Sequence, residues 1–301
     1  MHIHHWKKYL RLVAICSCST VSLCAWAVNS YYDAELSYSH DTNINNADFS
    51  SDILEDDVLI AGFTASLPVL LTQRSGLLLS GNTEYHYFTQ WEDISEWKLG
   101  GKLTYRYKPG MAFNAMWYEF MAGGTLLLHQ DSSLRDGGLV YVDLGLGKAL
   151  TDRIQLRGGY RFSVRRAWDS DAYDTETHRV YANVDWKLAS HFNLYGNLGW
   201  QYGDVVSSVI ITPGIITPGG IYGGGGPGSI LLEPDTALSD GVQQRGAYNI
   251  DARTAIGTLG FNYAFTQKLA LDASARYVRS EGDRSLSYEG FRFLCGLLYR
   301  F

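Results

Sequence analysis

The chain ends in the stretch GFRFLCGLLYRF, residues 290–301, whose pattern has the period of a β-strand. Counted back in steps of two, every residue is apolar or aromatic: Phe301, Tyr299, Leu297, Cys295, Phe293 and Phe291. Side chains of a strand alternate between its two faces, so these residues share one face and Arg300 and Arg292 lie on the other. The pattern predicts a terminal strand with one apolar face, either in a soluble sandwich or in the wall of a membrane barrel.

The first residues have the composition of a secretory signal peptide. Lys7, Lys8 and Arg11 precede an apolar stretch that runs to Leu23, and a small-x-small cleavage sequence occupies 25–27. The stretch is too short and too interrupted to cross a membrane as a helix. We therefore expect residues 1–27 to be removed and the mature domain to comprise residues 28–301.

Cleavage would change the composition. Only Cys295 of the four cysteines would remain, so no intramolecular disulfide is expected. Losing three of the 25 basic residues leaves 22 against 31 acidic residues, a formal net charge of −9. This sign disfavours a nucleic-acid partner. No later stretch approaches 18 consecutive apolar residues, so no helical membrane span is expected.

Period-2 alternation recurs along the whole chain and predicts twelve strands, the fifth of them running less regularly from Met111 to about His129. The connections between them are predicted to alternate in length. The short ones are 68–75, 108–110, 149–153, 189–191 and 266–268, and the longer ones are 40–57, 90–95, 130–137, 168–177, 206–248 and about 281–287. Short turns and longer, more polar loops at opposite ends are typical of a transmembrane barrel.

The predicted fold is therefore an all-β, closed antiparallel transmembrane barrel of about twelve strands. Backbone groups in hydrocarbon must be paired, so an open sheet edge is excluded and the last strand must pair with the first. The apolar face then contacts lipid, and aromatic residues near strand ends would lie at the two membrane interfaces. They are Tyr38, Tyr85, Tyr87, Trp97, Tyr105, Tyr107, Trp186, Trp200 and Tyr263.

Signal peptide, loop pattern and terminal Phe301 together resemble porin-like β-barrels of the Gram-negative outer membrane. In that family the closing strand is read by the barrel-assembly machinery, which implies that role for Phe301, Tyr299 and Leu297. The run Asp41-Thr42-Asn43-Ile44-Asn45 is similar to a short element that follows the first strand in several such barrels, including the barrel part of surface lipoprotein assembly modifiers. The resemblance implies an outer-membrane location, with both termini periplasmic and with lipid and lipopolysaccharide as surroundings.

The predicted lumen face carries an arginine ladder, the strand-seven residues Arg157, Arg161 and Arg165. The flanking strands are predicted to present Asp143 and Asp185 inward, with Lys187 and Arg179. Further inward cations are Lys102, Arg106, Arg276 and Arg292. Two interpretations remain open. The cations form a constriction that attracts small anionic solutes such as acidic sugars or phosphates, or they brace the lumen through Arg–Asp pairs.

The segment 209–229 is unusual for an outer loop because it is apolar and rich in Gly and Pro. The sequence Ile210-Ile211-Thr212-Pro213-Gly214 is nearly repeated at 215–219, and this composition excludes a regular strand or helix. It is interpreted as a partial plug of the barrel mouth, a contact patch for a partner, or a weakly constrained loop.

Catalysis is not expected, and no catalytic residue, metal or cofactor is predicted. His86 and Glu84 share an inward face, and His129 precedes Asp131 and Ser132, but neither group has a nucleophile at a suitable spacing. The acidic residues between Asp52 and Asp57 lack the regular spacing of a calcium loop. Two hypotheses remain: a narrow diffusion channel for small solutes, anionic ones among them, and a non-transport barrel that binds a surface partner or assists its export.

Overall fold

The computed structural model describes residues 30–211, 232–240, 242–282 and 286–301. The predicted signal peptide and residues 212–231 of the apolar loop lie outside them. In the described residues the chain forms one closed antiparallel sheet, which confirms the predicted barrel.

Twelve long strands build the wall. They are β1 (Tyr31–Asp41), β2 (Asp56–Thr72), β3 (Ser75–Phe88), β4 (Glu96–Tyr107), β5 (Trp117–His129), β6 (Gly137–Ala149), β7 (Ile154–Ala167), β8 (Thr175–Ala189), β9 (Phe192–Ile210), β11 (Arg245–Ala264), β12 (Leu269–Gly282) and β13 (Ser287–Arg300). A short additional strand, β10 (Glu233–Asp235), pairs with the start of β11. Three 3₁₀ turns lie in the loops, at Glu92–Ile94, Ser133–Arg135 and Thr236–Leu238.

Closure depends on the terminal strand that the sequence singled out. β13 pairs with β1 from Arg300 opposite Asp33 to Arg292 opposite Asp41, and β9 pairs with β11. Every long strand therefore has two neighbours, which leaves no open edge in hydrocarbon. The amide of Phe301 extends the ladder by donating to the carbonyl of Tyr32 at 3.0 Å.

The apolar side chains lie on the outside of the wall. Leu198 is 72% exposed and Leu259 is 68% exposed, whereas inward Ser37, Ser39 and Asp143 are buried. This inversion of a soluble protein is expected when lipid takes the place of an interior core. Among the described residues, no helix is long and apolar enough to cross a membrane.

The predicted alternation of connection lengths is wrong in two places. The turn end of the barrel holds the connections 73–74, 108–116, 150–153, 190–191 and 265–268. The loop end holds 42–55, 89–95, 130–136 and 168–174, with the described residues 211, 232–240, 242–244 and 286. The connection 108–116 is longer than several at the loop end, and the strands that end at Gly282 and begin at Ser287 are as close in sequence as those joined by 150–153.

Strand boundaries also differ from those predicted. β5 begins at Trp117 and not at Met111, because 111–116 forms a turn closed by the amide of Ala115 on the carbonyl of Ala112, at 3.0 Å. β2 continues through Pro68 to Thr72: it has passed the end of β1 there and pairs only with β3, so the missing N–H of proline costs no ladder bond. β9 continues to Ile210 and β11 already begins at Arg245, so the connection between them is shorter than the predicted loop 206–248.

Candidate functional site

The first part of the site is a braced wall inside the barrel, formed by β5, β6, β7 and β8. Asp143 of β6 is 0% exposed and accepts hydrogen bonds from Arg157 at 3.3 Å, Arg161 at 3.0 Å and the Tyr181 hydroxyl at 2.7 Å. Arg157 also contacts Glu119 at 2.9 Å. The register explains this cluster, because Asp143 is directly opposite Arg161.

Two further predicted cations complete or extend the braced wall. Arg106 of β4 binds Glu119 at 2.7 Å, across the β4–β5 pair. Arg165, at the loop end of the ladder, donates to the backbone carbonyl of Arg135 at 2.8 Å and lies 5.4 Å from the ring centre of Tyr173. Two of the three ladder arginines therefore have carboxylate partners, and the third is held by a carbonyl and an aromatic ring.

The second part is an arginine-rich stretch of the lumen on β7, β8, β12 and β13. Arg161 is directly opposite Arg179, and Arg276 is directly opposite Arg292. Like charges at opposed positions of a sheet repel each other. Arg292 is neutralised by Asp41, which accepts from its Nε at 2.8 Å.

Arg179 and Arg276 are different, because neither has a carboxylate within salt-bridge distance among the described residues. Arg179 donates to the amide oxygen of Asn197 at 2.7 Å and lies flat over Gly199, where a Cβ would collide with its guanidinium. The Nε atoms of both arginines are buried and have no hydrogen-bond partner among the described residues. The alternation of β8 predicts an inward Arg179, and the structure places it on the lumen face.

Lys102 and Asp185 lie apart from these groups. Lys102 lines a polar cavity of about 300 Å³ in the lumen. The other side chains around the cavity are those of Thr64, Ser80, Asn82, Glu84, Thr125 and Tyr141. Asp185 faces inward near the turn end, is exposed, and has no basic partner in the described residues, so it does not brace the ladder.

A chain of imidazoles and carboxylates runs up the lumen face of β3, β4 and β5. His86 lies 3.3 Å from Glu84, and His129 lies 3.3 Å from both Glu96 and Asp136. The described residues hold no group of three or more His, Cys, Asp or Glu side chains arranged to bind a metal. Among the described residues no serine, threonine or cysteine hydrogen-bonds to His86 or His129, so neither imidazole belongs to a nucleophile–base pair there.

The mouth at the loop end is crossed by two segments, of which the first is the connection 42–55. The element Asp41–Asn45 folds it inward, because Asn43 bonds to the backbone of Ala47 and Glu289. Asn45 then reaches Ser208 of β9 at 2.8 Å and the amide of Leu54 at 2.9 Å. The short motif therefore carries loop residues from β1 across the opening to β9.

The second crossing segment is 232–240, which we call the bar. It begins beside β11, where β10 pairs with Arg245–Ala247, and it packs Leu238 against Leu54 and Ile94. Ile94 lies in the β3–β4 loop, which is on the opposite side of a barrel with this strand order. Glu233 of the bar accepts from the amide of Asp171 at 3.1 Å, and Asp235 binds Arg135 at 2.6 Å, so the bar also contacts the loops 168–174 and 130–136.

The closing strand presents the predicted assembly residues to the outside. Leu297, Tyr299 and Phe301 are 45%, 40% and 62% exposed, and Tyr299 and Phe301 make an edge-to-face contact with ring centres 5.0 Å apart. A short aromatic patch therefore lies at the turn end of the seam between β13 and β1.

Comparison with known proteins identifies the architecture. No family model and no curated protein sequence matches the chain. An outer-membrane channel from Pseudomonas putida F1 is similar in structure, with a TM-score of 0.56 and 12% identity, over 90% of this chain and 96% of that one. This chain has the fold of an outer-membrane β-barrel.

Two further solved structures are similar at lower scores. The translocator domain of the autotransporter NalP from Neisseria meningitidis has a TM-score of 0.42 and 11% identity, over 99% of this chain and 96% of that one. The KdgM porin has a TM-score of 0.39 and 12% identity, over 89% of this chain and 99% of that one.

Proposed function

We propose that this barrel is a narrow outer-membrane channel for the passive diffusion of small anionic solutes. The observation that carries the proposal is the pair Arg179 and Arg276, which face the lumen with no carboxylate partner among the described residues. A cation that is partly withdrawn from water costs free energy unless an anion compensates it. A passing carboxylate or phosphate would supply that compensation.

Confinement in the lumen strengthens this preference. Arg161 and Arg292 lie opposite Arg179 and Arg276 on adjacent strands, although each is bound to an aspartate. Interactions in a confined lumen are screened less than those at an open surface, so two unneutralised guanidinium groups raise the local concentration of anions. The likeness to the Pseudomonas putida channel supports the class of protein and adds nothing about the solute.

The experiment is a reversal-potential measurement on the refolded barrel in a planar bilayer with a salt gradient. We expect the wild type to select anions and the double variant Arg179→Gln, Arg276→Gln to shift toward cations while it still assembles. The matched control removes two arginines from the outside of the wall, Arg166→Gln with Arg279→Gln, and should leave the reversal potential unchanged. A lumen variant with the reversal potential of the wild type would refute the assigned path.

A non-conducting barrel is the second candidate, and the crossed mouth favours it. Loop 42–55 and the bar are packed across the opening through buried contacts. Such a barrel would bind a surface partner or assist its export, as the sequence also suggested. Absence of any conductance from protein that shows native heat-modifiable gel mobility would favour this candidate over the channel.

The outer-membrane location, the periplasmic placement of both termini and recognition by the assembly machinery belong to the same proposal. Recognition by the assembly machinery is tested most directly at Phe301. Deleting Phe301 should reduce the amount of assembled barrel in cells, because the terminal aromatic residue is lost from the turn end of the seam. Phe265→Ala, which removes an exposed aromatic residue at the same end but away from the terminus, serves as the control. Equal assembly of the deletion and the control would contradict the role of Phe301.

A further inference from the structure

An internal carboxylate occupies a basic and aromatic pocket at the mouth of the barrel. Asp235 of the bar is 0% exposed, and its Oδ2 accepts from Arg135 at 2.6 Å and from the Tyr173 hydroxyl at 2.6 Å. Arg135 belongs to the loop 130–136 and Tyr173 to the loop 168–174. Three separate connections therefore meet at one carboxylate.

The pocket joins the arginine ladder of the lumen. Arg165 lies 5.4 Å from the ring centre of Tyr173, and Arg135 lies 4.9 Å from the same centre. Arg165 also donates to the carbonyl of Arg135 at 2.8 Å. Below Arg165, Arg161 and Arg157 continue the ladder on the same face of β7. The pocket is thus the loop-end terminus of a line of guanidinium groups.

The hydrogen-bonding groups of this pocket are only partly paired when Asp235 occupies it. Oδ1 of Asp235 and Nε of Arg135 are both buried without a hydrogen-bond partner in the described part of the chain. A carboxylate whose two oxygens bond to two N–H groups on one edge of a guanidinium forms two parallel hydrogen bonds, which is the stronger arrangement. Burial raises the pKa of Tyr173, so its phenol stays protonated and remains a donor.

We infer that Arg135 and Tyr173, with Arg165 beside them, form the first binding site for the carboxylate or phosphate of an incoming solute, and that Asp235 is an internal stand-in for it. Solute binding displaces Asp235 and releases the bar from the mouth. Exchanging one anion for another keeps Arg135 paired, so no uncompensated buried cation is created during the exchange. The inference rests on the proposed channel function for its purpose, but the displacement can be measured without conductance.

Hydrogen exchange tests the displacement directly. The full-length barrel in detergent micelles is labelled with deuterium in the presence of sodium glucuronate. A second sample is labelled in glucose plus sodium chloride at equal ionic strength. Exchange is followed in peptides that cover 232–240. Glucuronate should accelerate exchange of the bar several-fold, and glucose should not. Equal exchange rates in the two solutions would overturn the inference, whatever the conductance of the barrel.

Two variants separate this role from simple support of the fold. In Asp235→Asn the bar should exchange quickly without ligand and respond little to glucuronate, since the internal competitor has lost its charge. The control is Asp240→Asn, because the Asp240 carboxylate is exposed and, among the described residues, accepts from the amides of Val242 and Gln243 alone. It should behave as the wild type.

Conductance then distinguishes the two proposals. We expect the open time of the wild-type channel to rise with glucuronate. We expect the Asp235→Asn channel to stay open without glucuronate. If the wild type conducts and Asp235→Asn conducts identically with identical exchange, only the role of Asp235 is refuted. If neither protein conducts but glucuronate still frees the bar, the binding site stands and the channel function fails.

Discussion

Two regions of one lumen use the same residue type for different purposes. On the braced wall, Arg157 and Arg161 converge on Asp143, a carboxylate that is fully buried. On the other side, Arg179 has an amide oxygen as its partner, and Arg276 has no carboxylate in the described residues. The comparison teaches that an inward arginine becomes structural or available to a solute according to the residue that strand register places beside it.

The largest effect expected from this comparison is on stability. Asp143→Ala removes the acceptor shared by Arg157, Arg161 and Tyr181, and breaking a buried ion pair from one side costs about 3–5 kcal/mol. Asp185→Ala is the matched control, because that inward aspartate is exposed and its change should stay within about 0.5 kcal/mol. Urea unfolding of the refolded barrels in lipid vesicles measures both, and equal losses would erase the distinction between the two regions.

An intermediate effect should follow from converting the second region into a braced one. Asn197→Asp places a carboxylate at the atom that Arg179 already contacts at 2.7 Å. The new ion pair should stabilise the barrel by up to about 1 kcal/mol, and the neutralised Arg179 should weaken anion selectivity. The same reversal-potential assay checks this, with Asn193→Asp on the same strand face, away from Arg179, as the control. Stronger anion selectivity in Asn197→Asp would contradict the role of Arg179.

The smallest effect is expected at Lys102. It lies beside a polar cavity of about 300 Å³ and has no ion-pair partner in the described residues. Lys102→Gln should change stability by less than about 0.5 kcal/mol and shift the reversal potential less than the arginine pair does. A shift as large as that of Arg179→Gln with Arg276→Gln would move the solute path to the β3–β4 side of the lumen.

Sequence periodicity was sufficient for the wall because the membrane imposes it residue by residue. A period of two places each side chain toward lipid or lumen, and the need to pair every backbone group forces closure. The prediction was wrong at Met111–Met116 and Pro68, where the limits of a strand depend on a local turn and on how far the neighbouring strand extends.

The sequence predicts which residues face the lumen, but not which of them contact each other. Alternation places Arg157, Arg161, Arg165, Arg179 and Arg276 on the lumen face. It carries no information on register between strands that are far apart in sequence. Arg292 therefore could not be assigned to Asp41 from the sequence, because the two residues are 251 positions apart.

By itself the sequence determined the class of fold, the strand count and the closing strand, because lipid contact and backbone pairing act locally along the chain. Only the tertiary structure decided which lumen arginines are neutralised, and that the bar lays Asp235 between Arg135 and Tyr173. The two contacts of Asp235 join residues that are 100 and 62 positions apart in the chain. Their partners are selected by the curvature of the closed barrel and the packing of its loops, which no short-range pattern encodes.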